Sequence, residues 1–298
     1  MHSCLRSARR VWLATIPKGC LVAALSLLLG CFAEVSTSRG ADSMSATNSN
    51  AARQQAIRAI TLSQLQPEHR RTVRRVLADT TLYRRLPTLI QDCDPALFTF
   101  LAKNPEVLVE IWKELGIARV DLRRTGRTSF QMDDGAGTTG TMEIVEQKCH
   151  PQAQNRIVLL VNGMYRGKPF KQPLRAQAVL LMQSGSLVET NGRSYVAVRM
   201  DTFIRFERLG LELVAKVAHP LVGKMADRNF ADTMQFISSF SYATETRPES
   251  IEQLVGKLQR VPRSQQDELI EITYRCSASA PDGTGQRRLA ARDGRESL

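Results

Sequence analysis

The sequence predicts an α+β fold: short N-terminal helices, then an antiparallel meander of five or six strands, then one long C-terminal helix packed on the sheet. Three observations predict this order. Apolar residues recur with a helical period before residue 117, alternate with polar residues from 118 to 206, and return to the helical period after 206. Because no helical pattern interrupts the middle segment, its strands are expected to pair with their neighbours along the chain.

Residues 1–33 have the pattern of a secretory signal peptide. Four basic residues precede an uncharged apolar run of 13 residues from Leu21 to Ala33. A bilayer-spanning helix needs about 20 residues, so this run is too short to be one. An uncleaved N-terminal anchor is the alternative. We therefore expect export to the periplasm or cell envelope, where the N-terminus could anchor the protein to a membrane.

Within that run, Leu28-Leu29-Gly30-Cys31 resembles the lipobox of bacterial lipoproteins. The resemblance implies that Cys31 is lipidated and becomes the mature N-terminus. Cleavage after Ala33, which would remove Cys31, is the alternative. Residues 34–54 are rich in Ser, Thr, Ala and Asn without apolar periodicity, so we expect a flexible tether there.

Residues 55–117 are predicted to be helical. Apolar residues recur from Ile57 onwards, and two helix start signals follow at Asp94-Pro95 and Asn104-Pro105. Gly116 is a helix stop signal. Residues 118–206 are predicted to form the sheet, with a tight hairpin turn at Asn191-Gly192.

A long closing helix is predicted over 207–242, and Pro220 is expected to kink or split it. An extra helix is predicted over 249–260. These elements define one domain over 55–260. Residues 277–298 contain almost no apolar side chains, so we expect a disordered basic tail.

The order of helices, meander and long closing helix over about residues 82–242 resembles the START-like, or helix-grip, fold. In that family a curved sheet wraps a long C-terminal helix, and the space between them holds an apolar ligand. The resemblance implies such a space here, under the helix of 207–242. It leaves the function open, because helix-grip domains include lipid carriers, cyclases and scaffolds.

Charge and cysteine content restrict the possible functions. The chain carries 41 basic and 29 acidic residues, a net charge of +12, and only four of the basic residues lie in the first 30. Three cysteines lie in the body, Cys93, Cys149 and Cys276, so at most one disulfide can form among them. No CxxC motif suggests a zinc ribbon or a thioredoxin-like site.

No motif points to a cofactor, a metal or a known catalytic class. Gly135 to Gly140 matches GxGxxG, but a strand pattern follows it where a dinucleotide site needs a helix, so we expect a hairpin loop. The histidines lack metal-ligand spacing, and GxSxG and SxxK are absent. We therefore expect no cofactor and no metal.

Two sets of residues are candidate sites. Arg199 and Asp201, near the end of the last strand, and Tyr165, on a central strand, would form a polar anchor if they face a groove under the long helix. A solvated strand face is the alternative. The second set is an arginine cluster that aligns like charges at i,i+4, which would suit an anionic surface. It consists of Arg70, Arg71, Arg74 and Arg75.

These observations lead to three functional hypotheses. The preferred one is a non-enzymatic, exported envelope protein that binds a lipid or another apolar or amphipathic ligand between sheet and long helix. The alternative is a structural or interaction protein that docks on an anionic membrane surface through the arginine cluster. The third is an enzyme of unidentified type. Nucleic acid is not an expected partner, because exported proteins rarely meet it and aromatic residues are sparse.

Overall fold

The computed structural model describes residues 45–149, 154–167, 172–190, 192–207 and 211–279, without the side chains of 211–222. In this part of the chain an eight-stranded antiparallel sheet is combined with seven α-helices, which confirms the predicted α+β class. The helices are α1 (Asn50–Ala59), α2 (Pro67–Ala78), α3 (Pro95–Lys103), α4 (Pro105–Glu114), α5 (Leu211–Thr246), α6 (Pro248–Val255) and α7 (Arg263–Ala278). The strands are β1 (Leu82–Arg85), β2 (Leu89–Asp92), β3 (Asp121–Arg124), β4 (Ser129–Asp133), β5 (Thr138–Lys148), β6 (Asn155–Tyr165), β7 (Leu174–Val188) and β8 (Ser194–Glu207).

The six strands β3 to β8 form the predicted meander. Each pairs antiparallel with its neighbour along the chain, and the last edge of the meander, β8, pairs with both β1 and β2. Leu82 lies opposite Ile204 and Leu89 opposite Val198, so the two short strands follow one another along β8. The tight turn before β8 is present, with Gly192 at a φ of 83°.

Helices cover both faces of the sheet, because alternate residues of its central strands are apolar in both directions. On β6, Ile157 and Leu159 belong to a core shared with α3 to α7, whereas Val158 and Leu160 belong to a second core shared with α1 and α2. The protein therefore has three layers, with the sheet in the middle.

The long helix α5 lies along the β1–β2 edge of the sheet. The guanidinium of Arg84 donates to the Asp227 carboxylate, with 2.7 Å between Nε and Oδ1. Fifteen Å or so further along the helix, Ser238 donates to the Asp92 carbonyl at 2.8 Å. The apolar stripe of the described half belongs to the core on this side of the sheet, where α5 packs on strand β2 and on helices α6 and α7; it comprises Ala226, Phe230, Met234, Ile237 and Phe240.

The structure corrects four predicted boundaries. Residues 82–92 form strands instead of continuing the helical region, and α1 begins at Asn50, inside the predicted tether. Helix α5 runs through Pro220 without being split. The extra helix ends at Val255, and α7, which was not predicted, follows it. The predicted signal peptide, Cys31 and nearly all of the basic tail lie outside the described residues.

Candidate functional site

Helix α2 carries the arginine cluster on its outer side. The helix starts at Pro67, which suits the first helical position, and its apolar stripe packs on β7 and β8. Arg71, Arg74 and Arg75 are exposed, and their side chains have no hydrogen bond or ion pair with any described residue. Because the stripe fixes which side of α2 faces the sheet, the three guanidinium groups point towards solvent. The stripe consists of Val73, Val76 and Leu77.

Arg70, the fourth predicted member of the cluster, has a structural role. Its Nη2 donates to the carbonyls of Ser63 and Leu65 at 3.0 and 2.8 Å, which closes the turn in front of α2. Of the predicted set, the structure therefore brings three side chains together on one exposed surface. We call Arg71, Arg74 and Arg75 the basic face.

The basic face is electrostatically unbalanced. Arg71 and Arg75 stand one helical turn apart, and like charges at this spacing destabilise a helix by a few tenths of a kcal/mol. The single carboxylate of α2, Glu68, lies in the first turn, where it interacts favourably with the positive end of the helix dipole. An external anion would remove the repulsion, so the surface is suited to negatively charged partners.

The chain enters the domain next to this layer. Thr47 forms an antiparallel bridge with Arg85, and α1 follows directly. The guanidinium of Arg53 on α1 donates to the Leu77 carbonyl at 2.9 Å, so the start of α1 lies beside the end of α2. Whatever precedes residue 45 therefore connects to the same helical layer that carries the basic face.

Asp201 and Arg199 do not face a groove under the long helix, which corrects the sequence-based expectation. Asp201 is 0 % exposed and lies on the face covered by α1. Its Oδ1 accepts from Tyr83 Oη at 2.6 Å and from Arg85 Nε at 2.7 Å. Arg199 donates to Gln183 at 2.6 Å and approaches Asp201 at 3.8 Å.

This buried cluster connects α1 to the sheet. Arg85 also donates to the Gln55 side chain at 2.8 Å and to the Ala52 carbonyl at 3.2 Å, both on α1. Burial, and then the hydrogen bond to the Asp201 carboxylate, raise the pKa of Tyr83 well above its usual value. The phenol therefore stays protonated and continues to donate to Asp201.

Tyr165 lies at the end of β6, on the sheet face that α3 to α7 cover, and is buried. It pairs in register with Thr138 on one side and Leu174 on the other. Gly167 has no room for a Cβ because the Tyr165 phenol occupies that position. Tyr165 is thus a packed residue at the loop end of the sheet, and the structure does not bring it together with Arg199 or Asp201.

One depression in the described part of the chain could be a ligand site. The best-defined depression in the described part lies between α3 and the sheet, and its internal volume is about 0 Å³. Phe98, Cys149 and Met182 are among the residues that line it. This depression does not lie under α5, and it would not hold even a water molecule.

Sequence reasoning missed two buried polar groups on α5. Asn229 and Thr233 stand one turn apart, are 4 % and 6 % exposed, and leave Asn229 Nδ2 and Thr233 Oγ1 without any hydrogen bond. A buried donor without a partner costs about 1–3 kcal/mol. Their i,i+4 spacing beside the apolar stripe was visible in the sequence, but burial of that side of the helix was not.

The remaining motifs have structural roles where they are described. The Gly135–Gly140 segment belongs to the β4–β5 hairpin, as predicted. Gly135 and Gly137 lie in the loop with φ values of 64° and 110°, and strand β5 begins at Thr138. His69 Nε2 lies 2.9 Å from the Glu143 carboxylate. His150 and the side chain of His219 lie outside the described part.

The described residues form neither a metal site nor a membrane-spanning helix. No group of three or more His, Cys, Asp or Glu side chains among them could hold a metal ion. Within the same residues, no helix combines the length and the apolar character needed to cross a membrane. Cys93, Cys149 and Cys276 are free thiols.

Comparisons with known proteins give no family. No protein-family model matches the chain, and no curated protein matches it. Among solved structures, a conserved protein from Geobacillus kaustophilus is similar over 52 % of this chain and 93 % of its own, with 14 % identity and a TM-score of 0.33. A hypothetical protein from Helicobacter pylori is similar over 52 % and 84 %, with 12 % identity and a TM-score of 0.31. At these TM-scores neither likeness bears on function.

Proposed function

We propose that the protein is an exported, non-enzymatic envelope protein, tethered by its N-terminus, that docks on anionic membrane surfaces through the basic face of α2. The observation that carries the proposal is the exposure of Arg71, Arg74 and Arg75 without a partner among the described residues. Lipid phosphates are the anions that an envelope offers in the greatest density, and each Arg near such a surface contributes about 1 kcal/mol.

The contrast with neighbouring arginines supports the proposal. Arg84, Arg85 and Arg156 each form an ion pair inside the protein, with Asp227, Asp201 and Glu146 respectively. These cations hold helices to the sheet. The basic face contributes nothing comparable to the fold and adds repulsion within α2, so a role outside the domain is the simplest reason for it.

The position of the chain entry is also consistent with docking. If the mature chain starts at Cys31, 14 residues lie between the lipid and Ser45, and a fully extended chain spans at most about 3.3–3.6 Å per residue. A tether of this length keeps the domain within roughly 50 Å of the bilayer. A diacylated Cys31 would hold the chain on the membrane, and a basic surface in the same layer would orient the domain against it.

The test compares two charge-matched variants that begin at residue 34 and carry no lipid. One replaces Arg71, Arg74 and Arg75 with Gln; the control replaces the exposed Arg119, Arg123 and Arg127 with Gln. Three lost contacts of about 1 kcal/mol each should weaken partition into phosphatidylglycerol-containing vesicles on the order of 100-fold. The control should bind like the parent. Equal loss in both variants would show a general charge effect and refute a specific docking surface.

A second function, the ligand carrier expected from the helix-grip resemblance, is favoured by one observation. Asn229 Nδ2 and Thr233 Oγ1 are donors in the core beside the apolar stripe of α5, and neither has a partner. An amphipathic ligand with a carbonyl or carboxylate head group would satisfy both. The small volume of the depression between α3 and the sheet gives this function no support, so we rank it second.

Native mass spectrometry and lipid extraction test the carrier function. We expect a co-purifying lipid-sized mass in the parent protein and in an Arg71, Arg74, Arg75→Gln variant, and its loss from Asn229→Leu. An Asn229→Leu protein that folds with higher stability, and a parent protein free of any added mass, would mean that the two polar groups are simply uncompensated and that no ligand binds.

A further inference from the structure

Two cysteines that are 183 positions apart in the chain meet at one turn of α5. Cys93 lies between β2 and α3 and is 0 % exposed; its amide donates to the Ser194 carbonyl at 3.2 Å and its Sγ to the Asp94 carbonyl at 3.4 Å. Asp94 in turn donates its amide to Ser241 Oγ at 3.0 Å. Cys93 is therefore held beside Ser241.

Cys276 reaches the same turn from the other side. It lies in the last turn of α7, is 4 % exposed, and is a hydrogen-bonding neighbour of Thr244. Thr244 Oγ1 donates to the Ser241 carbonyl at 2.6 Å, so Ser241 and Thr244 belong to one turn of α5. Both thiols also feel the charge of Asp94.

The charge of a Cys276 thiolate influences the titration of Cys93, in keeping with the position of both cysteines beside Ser241 and Thr244. Burial raises the pKa of each thiol to about 12, and a thiolate at Cys276 would raise the pKa of Cys93 further. Cys149 is only half-buried and lies in the depression between α3 and the sheet. Of these three cysteines, Cys149 is therefore the one that we expect to remain unpaired.

We infer that Cys93 and Cys276 are a disulfide-forming pair, which fastens the C-terminal helix α7 to the junction between β2 and α3. This inference does not depend on membrane docking. It uses the proposed export only as the source of an oxidising environment. A negative vesicle experiment would therefore not affect the disulfide inference, and a negative disulfide experiment would not affect the docking proposal.

The chemistry is thiol–disulfide exchange with a low-molecular-weight disulfide such as oxidised glutathione. The thiolate of one cysteine attacks a sulfur of the oxidant, forms a mixed disulfide and releases one glutathione thiolate. The second cysteine, also as thiolate, attacks the protein sulfur of the mixed disulfide and releases the second glutathione. In total, two protein thiols lose two electrons and two protons, and one oxidised glutathione becomes two reduced molecules.

The order of events follows from burial. Only a thiolate attacks a disulfide, and the folded protein keeps both thiols protonated and inaccessible. The bridge should therefore form while α7 is still undocked and should be resistant to reduction once the core has closed. It would enclose β3 to β8 and α3 to α6 in a single covalent loop.

The experiment refolds the full chain with a mixture of oxidised and reduced glutathione, blocks remaining thiols by alkylation and maps the peptides by mass spectrometry. We expect a peptide pair joined through Cys93 and Cys276, with Cys149 alkylated. The oxidised protein should unfold on the order of 10 °C above the reduced protein, because the closed loop is long. Cys149→Ser should keep both results.

Alkylated Cys93 and Cys276 in the refolded parent chain, or a bridge from either of them to any of the other four cysteines, would overturn the inference. The peptide map needs no substitution, so it remains decisive even if a core variant fails to fold. As a further check, Cys93→Ser and Cys276→Ser should each abolish the difference in Tm between oxidising and reducing conditions. A difference that persists in both variants would also contradict the inference.

Discussion

The carboxylate of Asp201 shows that the role of a polar residue on the sheet depends on which helices cover it. Asp201 is fully buried, and Tyr83 and Arg85 saturate its Oδ1. A buried pair of this kind adds little net stability over an apolar contact, but loss of one partner leaves an uncompensated charge and is strongly destabilising. We therefore interpret Asp201 as the point that attaches α1 to the sheet.

The buried thiols give the stability of the reduced protein a characteristic pH dependence. Cys93 and Cys276 have folded-state pKa values raised from 9.0 to about 12. The protonated thiols are favoured in the folded state, so this contribution is complete below pH 9. It is lost between pH 9 and about 12, by about 1.4 kcal/mol per pH unit for each thiol.

Urea unfolding of the reduced protein at several pH values measures this dependence. In Cys93→Ser, the free energy of unfolding should decrease less steeply above pH 9, because one of the two buried thiols is missing. Cys149→Ser serves as a comparison at a half-buried site. An unfolding free energy that stays constant from pH 9 to 11 in the parent would show that neither thiol is as buried as described.

At the scale of elements, the α1–α2 layer is what distinguishes this fold from the simple sheet-and-helix arrangement that the sequence predicted. Helix α1 buries only two residues, Ala52 and Ala56, and both have small side chains. The helix is attached instead through polar contacts with Arg85 and Arg156, the latter donating to the Ala59 carbonyl at 2.6 Å.

Replacement of Ala56 with Arg should therefore detach α1. Ala56 is fully buried, so the substitution places both excess volume and an unpaired charge in the interface and should cost at least about 3 kcal/mol. Gln54→Arg on the exposed side of the same helix is the matched control and should change stability by less than about 0.5 kcal/mol. Similar unfolding free energies for the two variants would contradict the packing of α1 on the sheet.

The longest elements were the easiest to predict from the sequence. Strands β5 to β8 and helix α5 have apolar patterns that extend over many residues, so their period is unambiguous. Strands β1 and β2 have four residues each, and Leu86, Leu89 and Ile90 fit a helical spacing equally well. Only pairing with β8, which is distant in sequence, decides between the two conformations.

The structure does not bring Tyr165 together with Arg199 and Asp201, because contacts distant in sequence decide which helices cover each face of the sheet. Alternation along β8 showed that Asp201 and Met200 lie on opposite faces, but not which face α5 covers. The arginine cluster was easier to predict, because its position on an amphipathic helix places it opposite the apolar stripe without any knowledge of the sheet. Even there, the structural role of Arg70 depended on contacts with the preceding turn.

For the whole molecule, the docking proposal relies on the outer surface of the three-layer arrangement. Both faces of the sheet are covered, and the depression between α3 and the sheet has no usable volume. The basic face lies on the outer surface of the layer where the chain enters. Among the described residues, Asn229 Nδ2 and Thr233 Oγ1 on α5 are the buried donors on which the second function relies.

The dependence of vesicle binding on ionic strength tests the docking claim most directly. Raising NaCl from about 0.01 to about 1 M shortens the Debye length from roughly 30 to roughly 3 Å and screens exposed charges. We predict that partition of the lipid-free protein onto phosphatidylglycerol vesicles falls steeply over this range, and that the Arg71, Arg74, Arg75→Gln variant shows a much flatter dependence. Binding of the parent that does not change with salt, or that is equally strong on phosphatidylcholine alone, would contradict it.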